Sequence, residues 1–142
     1  MDKLSNFGIW FNRAILLLVA FLFTMIATRN LLHPAASAAE SNITLSSATA
    51  FSVARVSMGA IPLAVSISVF LSIFSKKRIL AALLFVFILI TIVTMVRIVS
   101  LNIDGHSEFG ERVLIPEITI MVLSAIGLYL ELRRRKKSGE SD

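Results

Sequence analysis

Four long apolar runs constrain the fold of this chain more than any other feature. They cover residues 14–32, 48–74, 79–101 and 113–132, and residues 79–96 carry no charge at all. A helix needs about 20 mostly apolar residues to cross about 30 Å of hydrocarbon. We therefore predict an all-α fold, a bundle of four transmembrane helices that forms one integral membrane domain over residues 1–142.

Composition agrees with a membrane protein and excludes several kinds of chemistry. Hydrophobic residues make up 56% of the chain and charged residues 16%, against about 45–50% and about 25% in soluble domains. The chain has no cysteine, which excludes disulfides, thiol catalysis, iron–sulfur clusters and thiolate zinc sites. Its two histidines, His33 and His106, lie far apart, which disfavours a histidine metal or haem site. We expect no cofactor and no metal. His106 is near enough in its loop to assist a proton transfer, but a lone loop histidine is more often merely exposed, and that is what we expect here.

The basic residues predict the orientation of the helices. Ten of the 14 Lys and Arg residues lie on one side if both termini and the loop after the second span are cytoplasmic. We therefore predict a bacterial inner-membrane protein with a basic cytoplasmic tail at residues 133–142. This tail anchors the last helix or contacts anionic lipids. No aromatic or folded motif accompanies the charges, so we expect no nucleic-acid partner.

The N-terminal segment has a second interpretation as a cleavable signal peptide. A basic start and an apolar run precede Ala36-Ser37-Ala38, which resembles a cleavage site. The polar residues at 29–34 lengthen the distance from the apolar run to that site beyond the usual layout. We therefore expect the first helix to be retained. Cleavage would leave three spans in the same orientation.

Loops and helix ends are predicted from residues with special backbone preferences. Residues 33–47, rich in alanine, serine and threonine, are predicted to form an outer loop, with Ser46 or Ser47 capping the second span. Asp104-Gly105 is typical of a turn in which glycine has a positive φ. Pro116 is predicted in the first turn of the fourth helix, where its missing N–H is harmless.

Each apolar span carries one charged residue near its predicted outer end. Counting 1.5 Å per residue from the inner basic residues places four charges in one layer. These charges belong to Arg29, Arg55, Arg97 and Glu117. A charge at the bilayer centre costs at least about 2.5–3.5 kcal/mol, and less near the interface. Such residues are expected to face other helices or to reach outward to the headgroups.

Spacing along the helices suggests that these charges share one cluster. The third span places Arg97, Ser100 and Asp104 on one face, since they recur at +3 and +4. The second span places Arg55, Gly59, Pro62 and Ser66 on one face that is small or polar, a pattern typical of close helix packing. We predict one polar cluster under the outer surface, formed by Arg29, Arg55, Arg97, Ser100, Asp104 and Glu117.

Three functions are compatible with such a cluster. The leading hypothesis is a non-enzymatic binding or accessory module for a lipid headgroup, a small anionic ligand or a membrane partner. A second is a small membrane enzyme in which Glu117 is the general acid or base on a lipophilic substrate. A third is a transporter subunit, which would need a homo-oligomer to enclose a pathway. A purely structural set of ion pairs, or outward-reaching arginines, is the alternative to all three.

The order of short motifs resembles a known family. Leu32-His33-Pro34, Arg55-Val-Ser-Met-Gly59, Arg97-Ile-Val-Ser100, Asp104-Gly105 and Glu117 follow one another along the chain. This order resembles the bacterial DUF4345 family of small four-helix membrane proteins, over about residues 12–132. The family's function is unknown, so the resemblance implies a fold and a set of marked residues without naming a reaction.

Overall fold

Helices account for all the regular secondary structure in the computed structural model. The structure describes residues 3–105 and 107–138, with side chains between 7 and 136, and this part of the chain contains no strand. The elements are α1 (Lys3–Leu32), α2 (Pro34–Ala39), α3 (Ala48–Ala54), a π-helical segment π1 (Arg55–Ala60), α4 (Ile61–Ser72), α5 (Lys76–Ile103) and α6 (Glu108–Ser138). Because α3, π1 and α4 are continuous, the seven elements provide four long helical segments.

All four segments are long and apolar enough to cross a membrane. They run over Phe7–Leu32, Ala48–Ser72, Lys76–Ile103 and Glu108–Lys136, which confirms the all-α class and the four predicted spans. The helices α1 and α6 extend beyond the predicted apolar runs because polar residues next to a run can continue its helix. The second segment is shorter than predicted, since it ends at Ser72 and two apolar residues follow it in a turn.

The chain divides into two compact units. One comprises residues 17–71, and the other comprises residues 1–16 together with residues 72–142. We call the second the α5–α6 unit, because it contains both of those helices and the first half of α1. The single domain predicted from the sequence stays a prediction.

Small and hydroxyl-bearing side chains pack α1 against α4 within the 17–71 unit. The buried Ser66 donates to the carbonyl of Ala20 at 2.7 Å, and its Oγ lies 2.7 Å from Thr24 Oγ1. Gly59 approaches α1 so closely that an added Cβ would lie 2.8 Å from the Leu31 side chain. The close packing predicted for the small face of the second span is therefore present at both positions.

The π-helical turn precedes a proline. Ile61 donates its backbone N–H to Val56, five residues earlier, instead of four. Pro62 follows and has no N–H to donate. A widened turn at this point lets the second segment continue as one helix through the proline.

The loop predicted at residues 33–47 contains a short helix, α2. Its composition explains the difference, because alanine has the highest helix propensity and Pro34 occupies the first helical turn, where its missing N–H is harmless. The predicted cap of the next helix is confirmed, since Ser47 Oγ accepts from Ala50 N at 3.1 Å. The other residues of the 33–47 segment form neither helix nor strand.

The predicted turn is confirmed, but the position predicted for Pro116 is wrong. Asp104 is the C-cap of α5, and Gly105 has a φ of +97°. Helix α6 begins at Glu108, one turn earlier than expected, because Ser107 Oγ accepts from Gly110 N at 3.1 Å and caps it. Pro116 therefore lies inside α6 and removes one intrahelical hydrogen bond beside Glu117.

Apolar α5 residues and polar or small α6 residues form the core of the α5–α6 unit. Leu83 of α5 is fully buried, and from α1 the fully buried Asn12 donates to Glu131 Oε2 at 3.3 Å. An added Cβ at Gly127 would lie 2.9 Å from Asn12 Oδ1 and 3.2 Å from Ile15 Cδ1. The glycine is what allows α1 and α6 to approach at this point.

We expect Gly127→Ala to destabilise the protein. Overpacking a well-filled core typically costs about 1–3 kcal/mol, which outweighs the gain of up to about 1 kcal/mol in helix propensity. Gly8→Ala is the matched control, because its Cβ would meet only Leu130 Cβ at 4.0 Å. Thermal unfolding followed by circular dichroism in detergent should show a lower Tm for Gly127→Ala alone. Equal Tm values for the two variants would contradict this packing.

Candidate functional site

An ion pair between α5 and α6 is the centre of the candidate site. Arg97 Nε lies 2.9 and 2.8 Å from the two carboxylate oxygens of Glu117, and Arg97 Nη2 donates to Oε1 at 2.7 Å. Glu117 is buried, and 26% of the Arg97 side chain is exposed. A planar guanidinium that donates hydrogen bonds to both carboxylate oxygens forms a strong ion pair with a fixed orientation. The two helices are thereby joined near the Gly105 turn.

An open groove of about 360 Å³ adjoins this pair. It combines an apolar wall with polar groups, and its lining residues are Ile92, Val93, Val96, Arg97, Ser100, Leu101, Ser107 and Gly110. Ile92 and Val96 are 57% and 63% exposed. The groove therefore presents apolar surface along α5 and hydrogen-bonding groups near the turn.

Two groove residues retain hydrogen-bond donors. A guanidinium has five N–H groups, and within the part of the chain that the structure describes no group accepts from Arg97 Nη1. Ser107 Oγ accepts from Gly110 N, so its own proton can be donated to a ligand. The N-terminus of α6 starts beside Ser107 and carries partial positive charge. These three features favour an anionic group in the groove.

A second polar contact extends the site along α5. Ser100 donates from Oγ to Asp104 Oδ2 at 2.8 Å, and both residues are exposed. The face predicted from the +3 and +4 spacing thus joins Ser100 to Asp104. Arg97 lies one turn earlier on the same helix.

The remaining members of the predicted cluster have partners within the 17–71 unit. Arg29 forms an exposed ion pair with Glu40. Arg55 is the first residue of π1. Its Nε donates a hydrogen bond to the carbonyl of Leu31 at 3.4 Å. The structure thus brings Arg97 to Glu117 and Ser100 to Asp104, while a single cluster of six residues stays a prediction. His106 lies outside the described residues.

The most deeply buried charge in the described side chains is one that the sequence reasoning missed. Glu131 is 1% exposed and accepts from Asn12, from Arg134 Nη2 at 2.7 Å and from Arg135 Nε at 3.5 Å. Arg135 also donates to the carbonyl of Lys77 at 2.9 Å, which joins the end of α6 to the start of α5.

A repeated spacing could have identified Glu131. Glu117, Ser124 and Glu131 follow one another at intervals of seven residues in the mostly apolar middle of α6, and all three are buried. Residues seven apart occupy nearly the same face of a helix, since two turns contain 7.2 residues. The contacts of Glu131 indicate that it holds helices together rather than binding a ligand. No group of three potential metal ligands occurs among the described residues.

A family model described as a domain of unknown function, DUF4345, matches residues 11–128, which is most of the chain. The chain matches no curated protein and no solved structure.

We expect Glu117→Gln to lower the free energy of unfolding by about 1.5–3 kcal/mol, since it removes charge-assisted hydrogen bonds from a guanidinium that is largely buried. Glu108→Gln is the control, because Glu108 and its partner Arg112 are exposed and such pairs contribute at most about 1 kcal/mol. Thermal unfolding in detergent measures both variants.

The double variant Arg97→Gln/Glu117→Gln completes the test of this pair. It should lose less stability than the sum of the two single variants, because neither charge is then left without its partner. Additive losses would show that the two side chains do not stabilise each other.

Proposed function

Because the chain belongs to the DUF4345 family, whose function is unknown, we propose a function from the site: a non-enzymatic binding module in a membrane. Its groove beside the Arg97–Glu117 pair binds the phosphate-bearing headgroup of a membrane lipid. The observation that carries this proposal is the groove of about 360 Å³, which has Arg97 and Ser107 at one end and an exposed apolar wall along α5.

The shape of the groove matches an amphiphile better than a free ion. Phosphate oxygens would accept from Arg97 Nη1 and from the Ser107 hydroxyl, near the N-terminus of α6. An acyl chain would cover the exposed Ile92 and Val96. A free phosphate ion would use only the polar end and leave this wall uncovered.

The ion pair favours binding over acid–base catalysis. A general base needs a carboxylate oxygen that can reach the proton of a substrate. Both oxygens of Glu117 are already held by Arg97 at 2.7–2.9 Å. Glu117 is thereby suited to orient Arg97 and to offset its charge, rather than to exchange protons itself.

The protein lies in a bacterial inner membrane with both termini cytoplasmic, since ten of its 14 basic residues then face the cytoplasm. The Gly105 turn and the groove end at Ser107 then lie on the outer side. The lipid would come from the outer leaflet.

Cysteine labelling tests this orientation, because the chain has no cysteine of its own. A membrane-impermeant maleimide should label Glu108→Cys on intact spheroplasts and should label Ser75→Cys only after lysis. Glu108 lies at the start of α6 and Ser75 in the turn before α5, so the two probes mark opposite ends of α5. The reverse pattern would overturn the orientation.

Lipid binding by the purified protein tests the proposed function. We expect native mass spectrometry to detect a phospholipid on the protein in mild detergent, and we expect Arg97→Ala to weaken its affinity at least about tenfold, since a charge-assisted hydrogen bond is worth about 1.5–3 kcal/mol. Arg112→Ala is the matched control, because it removes the same charge near the same turn from an exposed residue. This control should bind as well as the original protein.

Two further measurements separate lipid binding from unfolding and from the binding of free phosphate. The variant Arg97→Gln/Glu117→Gln leaves no buried charge without its partner. If this variant loses the bound lipid while its helical content is unchanged, the loss cannot be attributed to unfolding. Delipidated protein titrated with inorganic phosphate and with a short-chain phospholipid distinguishes the two sources of phosphate, and only the phospholipid should bind. Equal lipid occupancy in all variants would refute the proposed function.

A further inference from the structure

We propose that the lipid bound in this groove carries a primary ammonium group as well as a phosphate, as in a phosphoethanolamine headgroup. The ammonium would be held by Asp104. This inference rests on the proposed function and names the class of lipid that the same site selects.

The charge at this end of the α5–α6 unit is negative rather than positive. Residues 97–117 contain two basic residues, Arg97 and Arg112, and four acidic residues, which gives a formal charge of −2. A ligand with only negative charge would be attracted by Arg97 and repelled by the surrounding carboxylates. A ligand with both charges would satisfy both parts of the surface.

Asp104 is the acidic residue best placed to receive a cation beside the phosphate. Ser100 lines the groove and donates a hydrogen bond to Oδ2 of Asp104. This bond holds the Asp104 carboxylate next to the groove. Within the described part of the chain no residue donates to Oδ1, and the side chain is exposed. Asp104 lies seven residues after Arg97, about 10 Å farther along the helix axis. Along α5, the apolar wall, the phosphate site at Arg97 and the ammonium site at Asp104 follow one another. The acyl chain, the phosphate and the ammonium of a phosphoethanolamine lipid have the same order.

Chemistry distinguishes a primary ammonium from the other common headgroups. An –NH₃⁺ group donates up to three hydrogen bonds and can bond directly to Asp104 Oδ1. A choline group has no N–H and can interact with the carboxylate only through its charge. A glycerol group is uncharged, so the phosphate would lie beside these carboxylates without a positive charge of its own to offset it.

Competition among lipids tests this selectivity. The delipidated protein would be titrated, in one detergent, with short-chain phosphatidylethanolamine, phosphatidylcholine and phosphatidylglycerol, with binding measured by native mass spectrometry. We expect phosphatidylethanolamine to bind about fivefold more tightly than either other lipid, which is the range of an exposed ion pair. Asp104→Asn should bring the three affinities together by weakening only phosphatidylethanolamine.

Control variants separate this inference from the proposed function. Glu108→Gln removes one negative charge from the same end of the unit at an exposed residue that pairs with Arg112, and it should leave the fivefold preference unchanged. If all three lipids bind equally and Arg97→Ala weakens all of them, the headgroup inference fails while the proposed function stands. If no lipid binds even to the unmodified protein, the proposed function fails as well. If Asp104→Asn and Glu108→Gln reduce the preference equally, overall charge is responsible and the role of Asp104 is refuted.

Discussion

A polar group inside hydrocarbon has no water to bond with, so its partner must come from the protein itself. This constraint accounts for the helices, which bond every interior backbone group within one segment. It also accounts for the partners of several buried polar side chains. Glu117 has Arg97, Glu131 has Arg134 and Asn12, and Ser66 has the carbonyl of Ala20. Where every hydrogen-bonding atom of a buried charged side chain has a protein partner, that side chain is held in place as part of the packing.

The candidate ligand site lies where the same constraint is only partly met. Arg97 uses two of its three nitrogens on Glu117, and Ser107 accepts a bond without giving one to a described residue. Glu117 thus contributes to the site indirectly, because it holds the guanidinium in one orientation. A lipid headgroup would complete the set of hydrogen bonds. The pair and the groove are therefore two parts of one arrangement.

Hydrophobicity alone was enough to predict the class and the four spans, because length and apolarity decide what can cross a membrane. Counting residues also placed Arg97 and Glu117 at similar depth, and they form a pair. Counting gives depth and does not give helix rotation or a partner, so Glu40 as the partner of Arg29 could not be foreseen. Pro116 was misplaced because a hydroxyl cap at Ser107 starts α6 earlier than its apolar residues indicate.

The α5–α6 hairpin is fastened at two levels, by Arg97–Glu117 near the turn and by the bond from Arg135 to Lys77 at the other end. Glu131, which holds Arg135, comes fourteen positions after Glu117, and both face the same way because this interval is two heptads. One inserted or deleted residue between them would turn one carboxylate by about 100° away from its partners. The number of residues in this interval therefore matters more to the hairpin than the identity of the apolar residues in it.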